Sequence, residues 1–163
     1  MKKILFSLIL LSSFVFGVVK DEGKVFKVEE VKALNDRINL LKEQTATDFE
    51  VVTLAEENEK VFSVFENATR KVVVVLQKGE ENSIKVKLAF SNDINLTGYE
   101  DKINKKLEEL ERVISPKTFS DSTLELLAET GDVLTSIQLD EKSAAEAKNG
   151  IDKRAVIIFI LKS

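Results

Sequence analysis

The sequence predicts an α/β protein with a single mixed sheet of about four strands sandwiched by helices, followed by an extra C-terminal helix and strand. Three observations predict it. Lys71–Lys78 carries five consecutive apolar residues, Val72 to Leu76, as expected of a strand covered on both faces. Residues 84–90 alternate, with Ile84, Val86, Leu88 and Phe90 on one side and Lys85 and Lys87 on the other. Segments with helical spacing flank these runs, such as Val31, Leu34, Ile38 and Leu41.

Met1 to Gly17 has two lysines, a short apolar run and small residues before Val18, the form of a cleaved secretory signal. The run is shorter than the ~20 residues a spanning helix needs. The mature domain is therefore expected to start at Val18, with secretion or a periplasmic location. Val18 to Phe26 reads as an extended entry with an Asp-Glu-Gly turn. A helix is expected over 29–44, with Glu29 and Glu30 at its positive end and Lys42 in its last turn. A strand follows from Asp48, with Phe49, Val51 and Thr53 on one face and Glu50, Val52 and Leu54 on the other. Asn58 to Thr69 is helical in pattern, with Val61, Phe62, Phe65 and Ala68 on one face. The turn 78–82 is short enough to join the next two strands as an antiparallel hairpin.

Beyond the hairpin, Thr97 and Glu100 are spaced as a capping box for a helix bearing Tyr99, Ile103, Leu107, Leu110 and Ile114, ended by Pro116. Ser122 and Glu125 repeat that spacing ahead of Leu124, Leu127, Ala128, Leu134 and Ile137. Gly131 weakens this helix, and Val133 to Leu139 also fits a strand. Residues 140–149 form a short Ala-rich helix stopped by Gly150. Ala155 to Leu161 is an apolar strand expected to pair within the sheet, because an exposed edge of this kind aggregates.

Composition narrows the chemistry. The 163 residues suggest one domain, and 44% apolar content supplies a core. Formal charge is −4, and it becomes more negative once Lys2 and Lys3 are removed, which disfavours nucleic acid. There is no Cys and no His, so disulfides, thiol nucleophiles, Ser-His-Asp triads and Cys/His zinc sites are excluded. A bound metal would be calcium or magnesium on oxygen ligands. The six scattered glycines form no nucleotide-binding loop.

The stretch DEGKVFKVEEVKALNDRINLLKEQTATDFEVVTL, with KVVVVLQ, IKVKLAF and VISPKTF, resembles the TPM domain family over residues 18–139. The resemblance implies a compact α/β domain outside the cytoplasm. It also implies roles among those of the family: phosphatase, membrane-complex assembly or repair factor, or ion-channel modulator, some members binding divalent cations. One departure is plain. Where the family has Gly-x-Gly-Leu-Glu after the hairpin, this chain has Ala89 to Ile94 without glycine, which argues against close ligand approach to the backbone there.

Asn92, Asp93 and Asn95 are the cation candidates, with Asp21 and Glu22 as further ligands. The structural alternatives, an Asx-type turn and a surface turn, are favoured for each set. Asp48 reads as a turn residue, and Glu56 and Glu57 as a solvated helix start. Asn67-Ala68-Thr69 and Asn95-Leu96-Thr97 are glycosylation sequons. They would matter in a eukaryotic secretory route; because the short Lys-Lys leader has a bacterial form, both read as coincidental matches. The leading expectation is a non-enzymatic accessory factor that binds an envelope or membrane protein, with no nucleotide. The alternative is a metal-dependent phosphatase using Asp93 and nearby carboxylates.

Overall fold

A computed structural model describes residues 18–55, 65, 67–78, 84–115, 117–145 and 157–160. Its elements are β1 (Val18–Asp21), α1 (Val28–Thr45), β2 (Asp48–Leu54), β3 (Lys71–Lys78), β4 (Ile84–Phe90), α2 (Glu100–Val113), α3 (Phe119–Ala145) and β5 (Ile157–Ile160). The fold is α/β, as the sequence predicts. The strands form one mixed sheet in the order β1-β2-β3-β4-β5. β1, β2 and β3 run parallel, while β4 is antiparallel to both β3 and β5. The hairpin register pairs Val74 with Leu88, and β5 joins the same sheet by pairing Ala89 with Ile158.

The period-2 alternation of the strands creates two cores. Phe49, Val51, Val72, Val74, Leu76, Val86, Leu88 and Phe90 face α1, α2 and α3. Leu34, Ile38 and Leu41 come down from α1, Ile103, Leu107 and Leu110 from α2, and Leu126, Leu127, Val133, Leu134 and Ile137 from α3. The opposite face buries Val52, Leu54, Val73, Val75 and Ala89 beneath Phe65 and Ala68. Val72 to Leu76 are accordingly buried on both sides, which is why that strand lacks polar alternation.

Several boundaries differ from expectation. The entry segment is a true edge strand, paired in parallel with β2. The C-terminal part is one 27-residue helix, not a broken one. Ser122 lies inside it and is buried, while Thr118 Oγ1 ties the preceding turn to the Val113 carbonyl at 2.9 Å. Residues 133–139 are helical. α3 runs unbroken through Gly131, which lets it approach α1: a Cβ there would lie 2.4 Å from Leu41 Cδ2. The Thr97 capping box does not form. Tyr99 occupies the cap position, and Glu100 reaches back to the Gly98 N–H at 2.7 Å. Asn67–Arg70 is not helical; the rest of the expected 58–69 helix, apart from Phe65, lies outside the described residues, as do the leader and 146–150. Among the described residues, no helix is long and apolar enough to cross a membrane.

Candidate functional site

The parallel strands separate the two groups of candidate ligands. Asp21 ends β1 beside Thr53 of β2. Its Oδ1 accepts hydrogen bonds from Thr53 Oγ1 at 2.5 Å and the Val25 N–H at 2.9 Å. Its Oδ2 accepts from the Phe26 N–H at 3.0 Å. Gly23 completes this turn by donating its N–H toward the Thr53 carbonyl at 3.1 Å and Oγ1 at 3.0 Å. The turn presses so closely on β2 that a Cβ at Gly23 would sit 3.1 Å from Thr53 Oγ1. Phe26, placed by the same turn, meets Phe119 edge to face at 5.4 Å between ring centres. Glu22 is exposed.

Asp93 lies at the other end of the sheet. Its two oxygens accept from the Arg70 N–H at 3.0 and 2.8 Å, and Oδ1 also accepts from Ser91 Oγ at 2.6 Å. Arg70 immediately precedes β3, and its carbonyl accepts the Asp48 N–H at 2.7 Å at the start of β2. Thr53 and Asp48 are five residues apart on one strand, so the Asp21 and Asp93 turns are separated by roughly 17 Å at ~3.3 Å per residue. Asp21 therefore cannot share a cation with Asn92, Asp93 and Asn95. The expected four-residue set is thus divided between two turns, with Asp21 in one and Asn92, Asp93 and Asn95 in the other.

The other candidates differ among themselves. Asn95 Oδ1 accepts the Thr97 N–H at 3.1 Å, an Asx turn. Asn92 Oδ1 is buried and has no hydrogen-bond partner among the described residues. Asp48 pairs with Lys42 at 2.6 Å. Glu56 and Glu57 lie outside the described residues. Among the described residues, no three acidic side chains gather where they could hold a metal ion.

Around Asp93 a polar network joins four elements. Arg70 has φ 48°, a left-handed conformation that is costly for a side chain with a Cβ. Its guanidinium reaches Glu141 of α3 at 3.5 Å and the Thr45 carbonyl at the end of α1 at 3.3 Å. Gln138 Nε2 donates to that same carbonyl. Tyr99 Oη donates to Asp140 at 2.6 Å, and that carboxylate raises the Tyr99 pKa above its ordinary value. The network thus locks the β4–α2 loop against α3 and the entry to β3.

Two further charged clusters are assembled only by the tertiary structure. On the second face of the sheet, Glu50 is buried between Lys20 of β1 at 2.6 Å and Lys71 of β3 at 3.0 Å. Burial opposes its ionisation, but the two ammonium groups outweigh that and hold the carboxyl below its ordinary value. Between α2 and α3, Lys106 meets Glu125, Glu129 and Glu109 at 2.6, 3.6 and 3.8 Å. Its hydrogen bond to Glu125 raises its pKa despite some desolvation. The sequence signal for Glu50 was its place among Val52 and Leu54 on one strand face; nothing in the sequence marked Lys106 as a hub.

No protein-family model matches the chain, and no curated protein matches it. Among solved structures, it is similar to the solution NMR structure of the N-terminal domain of a protein from P. gingivalis. That similarity covers 86% of this chain and 91% of the other, at 14% identity and a TM-score of 0.49.

Proposed function

We propose that this chain is an exported, TPM-like accessory module that works at the cell envelope by binding a partner protein rather than by catalysis. The observation that carries this is the commitment of the Asp21 and Asp93 carboxylates. Each is engaged by donors of its own chain, at opposite ends of the sheet. Oxygens that hold a hard cation direct their lone pairs at the ion; these direct theirs at backbone N–H and hydroxyl groups, which fixes loops. The leader and the family resemblance support the compartment. The missing glycine turn and the hydrogen-bonded 91–99 loop favour a fixed binding surface over a ligand-accepting one.

The test is calorimetric titration of calcium and magnesium into residues 18–163, with Asp93→Ala alongside, followed by phosphate-monoester hydrolysis in each ion. An accessory module gives no Asp93-dependent heat and no ion-dependent turnover. Photo-crosslinkers at Val28 and Val113, which are 83% and 57% exposed, should then join it to a defined envelope protein in cells. Saturable cation binding lost with Asp93, together with turnover, overturns the proposal in favour of a metal-dependent phosphatase whose cation polarises phosphate and activates water.

A further inference from the structure

We propose, independently of the accessory-module reading, that the outer face of α2 is a two-fold, charge-held interface with a second copy of this chain. α2 buries Ile103, Leu107 and Leu110 in the core between the sheet and the helices. At 3.6 residues per turn, Asp101, Lys105, Glu108 and Arg112 fall on the side directly away from that stripe. All four are exposed, and their signs alternate along the helix. The spacing of Asp101 with Lys105, and of Glu108 with Arg112, suits ion pairs within the helix, yet neither pair closes. Among the described residues, the ion pairs of α2 run through Lys106, to Glu109, Glu125 and Glu129. None of the four outer charges is in one.

The order of these charges selects the occupant. Asp101 and Arg112 lie equally far from the level midway between Lys106 and Leu107, about 8 Å at 1.5 Å per residue. Lys105 and Glu108 lie about 2 Å to either side of it. Reversing the helix about that level therefore exchanges each acid with a base. A second α2, antiparallel across a two-fold axis at that level, sets its Arg112 against Asp101 and its Glu108 against Lys105. The symmetry makes each contact twice. A parallel copy in register would set like charge against like. A uniformly anionic surface, such as nucleic acid or acidic lipid, would be attracted by two of the four residues and repelled by the other two. The stripe holds no apolar side chain, and exposed ion pairs each contribute little, so the association is weak, reversible and sensitive to salt.

The experiment is sedimentation velocity on the chain as purified from the cell that makes it, from micromolar to near-millimolar concentration. A dimer is expected at about 0.1 M salt and its loss at about 1 M, where the Debye length is about 3 Å. Lys105→Glu and Glu108→Lys each turn two attractive contacts into repulsive ones. Either change alone should weaken the dimer by about tenfold or more, and the two together in one chain should restore it. The deciding sample is a mixture of the two single variants. Residue 105 of each then meets residue 108 of the other with opposite sign, so the mixture should dimerise where neither variant does alone. Pairing within the helix predicts no effect of mixing, because mixing changes no helix's own residues. Far-ultraviolet circular dichroism and thermal unfolding establish that each variant is folded. A chain that stays monomeric throughout, a dimer indifferent to the single reversals, or a mixture of folded variants that stays monomeric overturns the proposal.

Discussion

The Asp93 carboxylate clamps the backbone N–H of Arg70 with both oxygens, at 3.0 and 2.8 Å, across 23 residues of sequence. The clamp holds Arg70 at φ 48°, in a region that residues with a Cβ seldom occupy. Asp93→Ala should cost about 1.5–3 kcal/mol, the range of hydrogen bonds to a charged group. Urea denaturation should show a lower midpoint with unchanged slope, and the loss should not depend on calcium or magnesium. A ligand role would instead make the deficit appear only when the ion is present.

Gly131 reports how tightly α1 and α3 cross. Alanine is the better helix former by about 1 kcal/mol, yet its Cβ would stand 2.4 Å from Leu41 Cδ2 in a buried interface. Overpacking costs about 1–3 kcal/mol, so Gly131→Ala should lower thermal stability. In a Leu41→Ala background the same change should be neutral or favourable. A double-mutant cycle by denaturation measures this coupling directly.

Ala46 closes α1 in the left-handed conformation, with φ 48° and ψ 35°, and is exposed. Glycine suits that position better than alanine. Ala46→Gly should raise stability by about 0.5 kcal/mol, the relief of strain being partly offset by the greater freedom of glycine in the unfolded chain. Chemical denaturation of the variant checks this against the general tendency of glycine substitutions to destabilise helices.

Glu50 makes stability pH-dependent. Its folded pKa lies below the ordinary 4.5, so the unfolded state binds the proton more readily. Its contribution is present above the unfolded value and is lost as the pH falls through the folded one. Glu50→Gln should flatten the acid limb of the stability–pH profile below about pH 5. At pH 7 it should cost about 1–2 kcal/mol, less than the ~3–5 kcal/mol for breaking a fully buried pair, because Lys20 is 47% exposed and can turn to water.

Local pattern alone determined the elements whose partners are near in sequence or whose covering is total. The apolar run 72–76 required cover on two faces, and the structure buries it in two cores. The short turn after Lys78 fixed the β3–β4 hairpin, and the spacing of Leu34, Ile38 and Leu41 fixed the buried stripe of α1. What tertiary structure decided was everything that depends on which strand lies beside which. Parallel neighbours are set by crossovers, not by periodicity, so only the β1-β2-β3 order brings Lys20 and Lys71 to either side of Glu50. The same order puts Asp21 and Asp93 at opposite ends of the sheet, although both stand in polar turns that look alike in sequence. Gly131 and residues 133–139 were ambiguous for a related reason: helix propensity judges a residue by its own turn, while packing against Leu41 and the sheet keeps α3 continuous to Ala145.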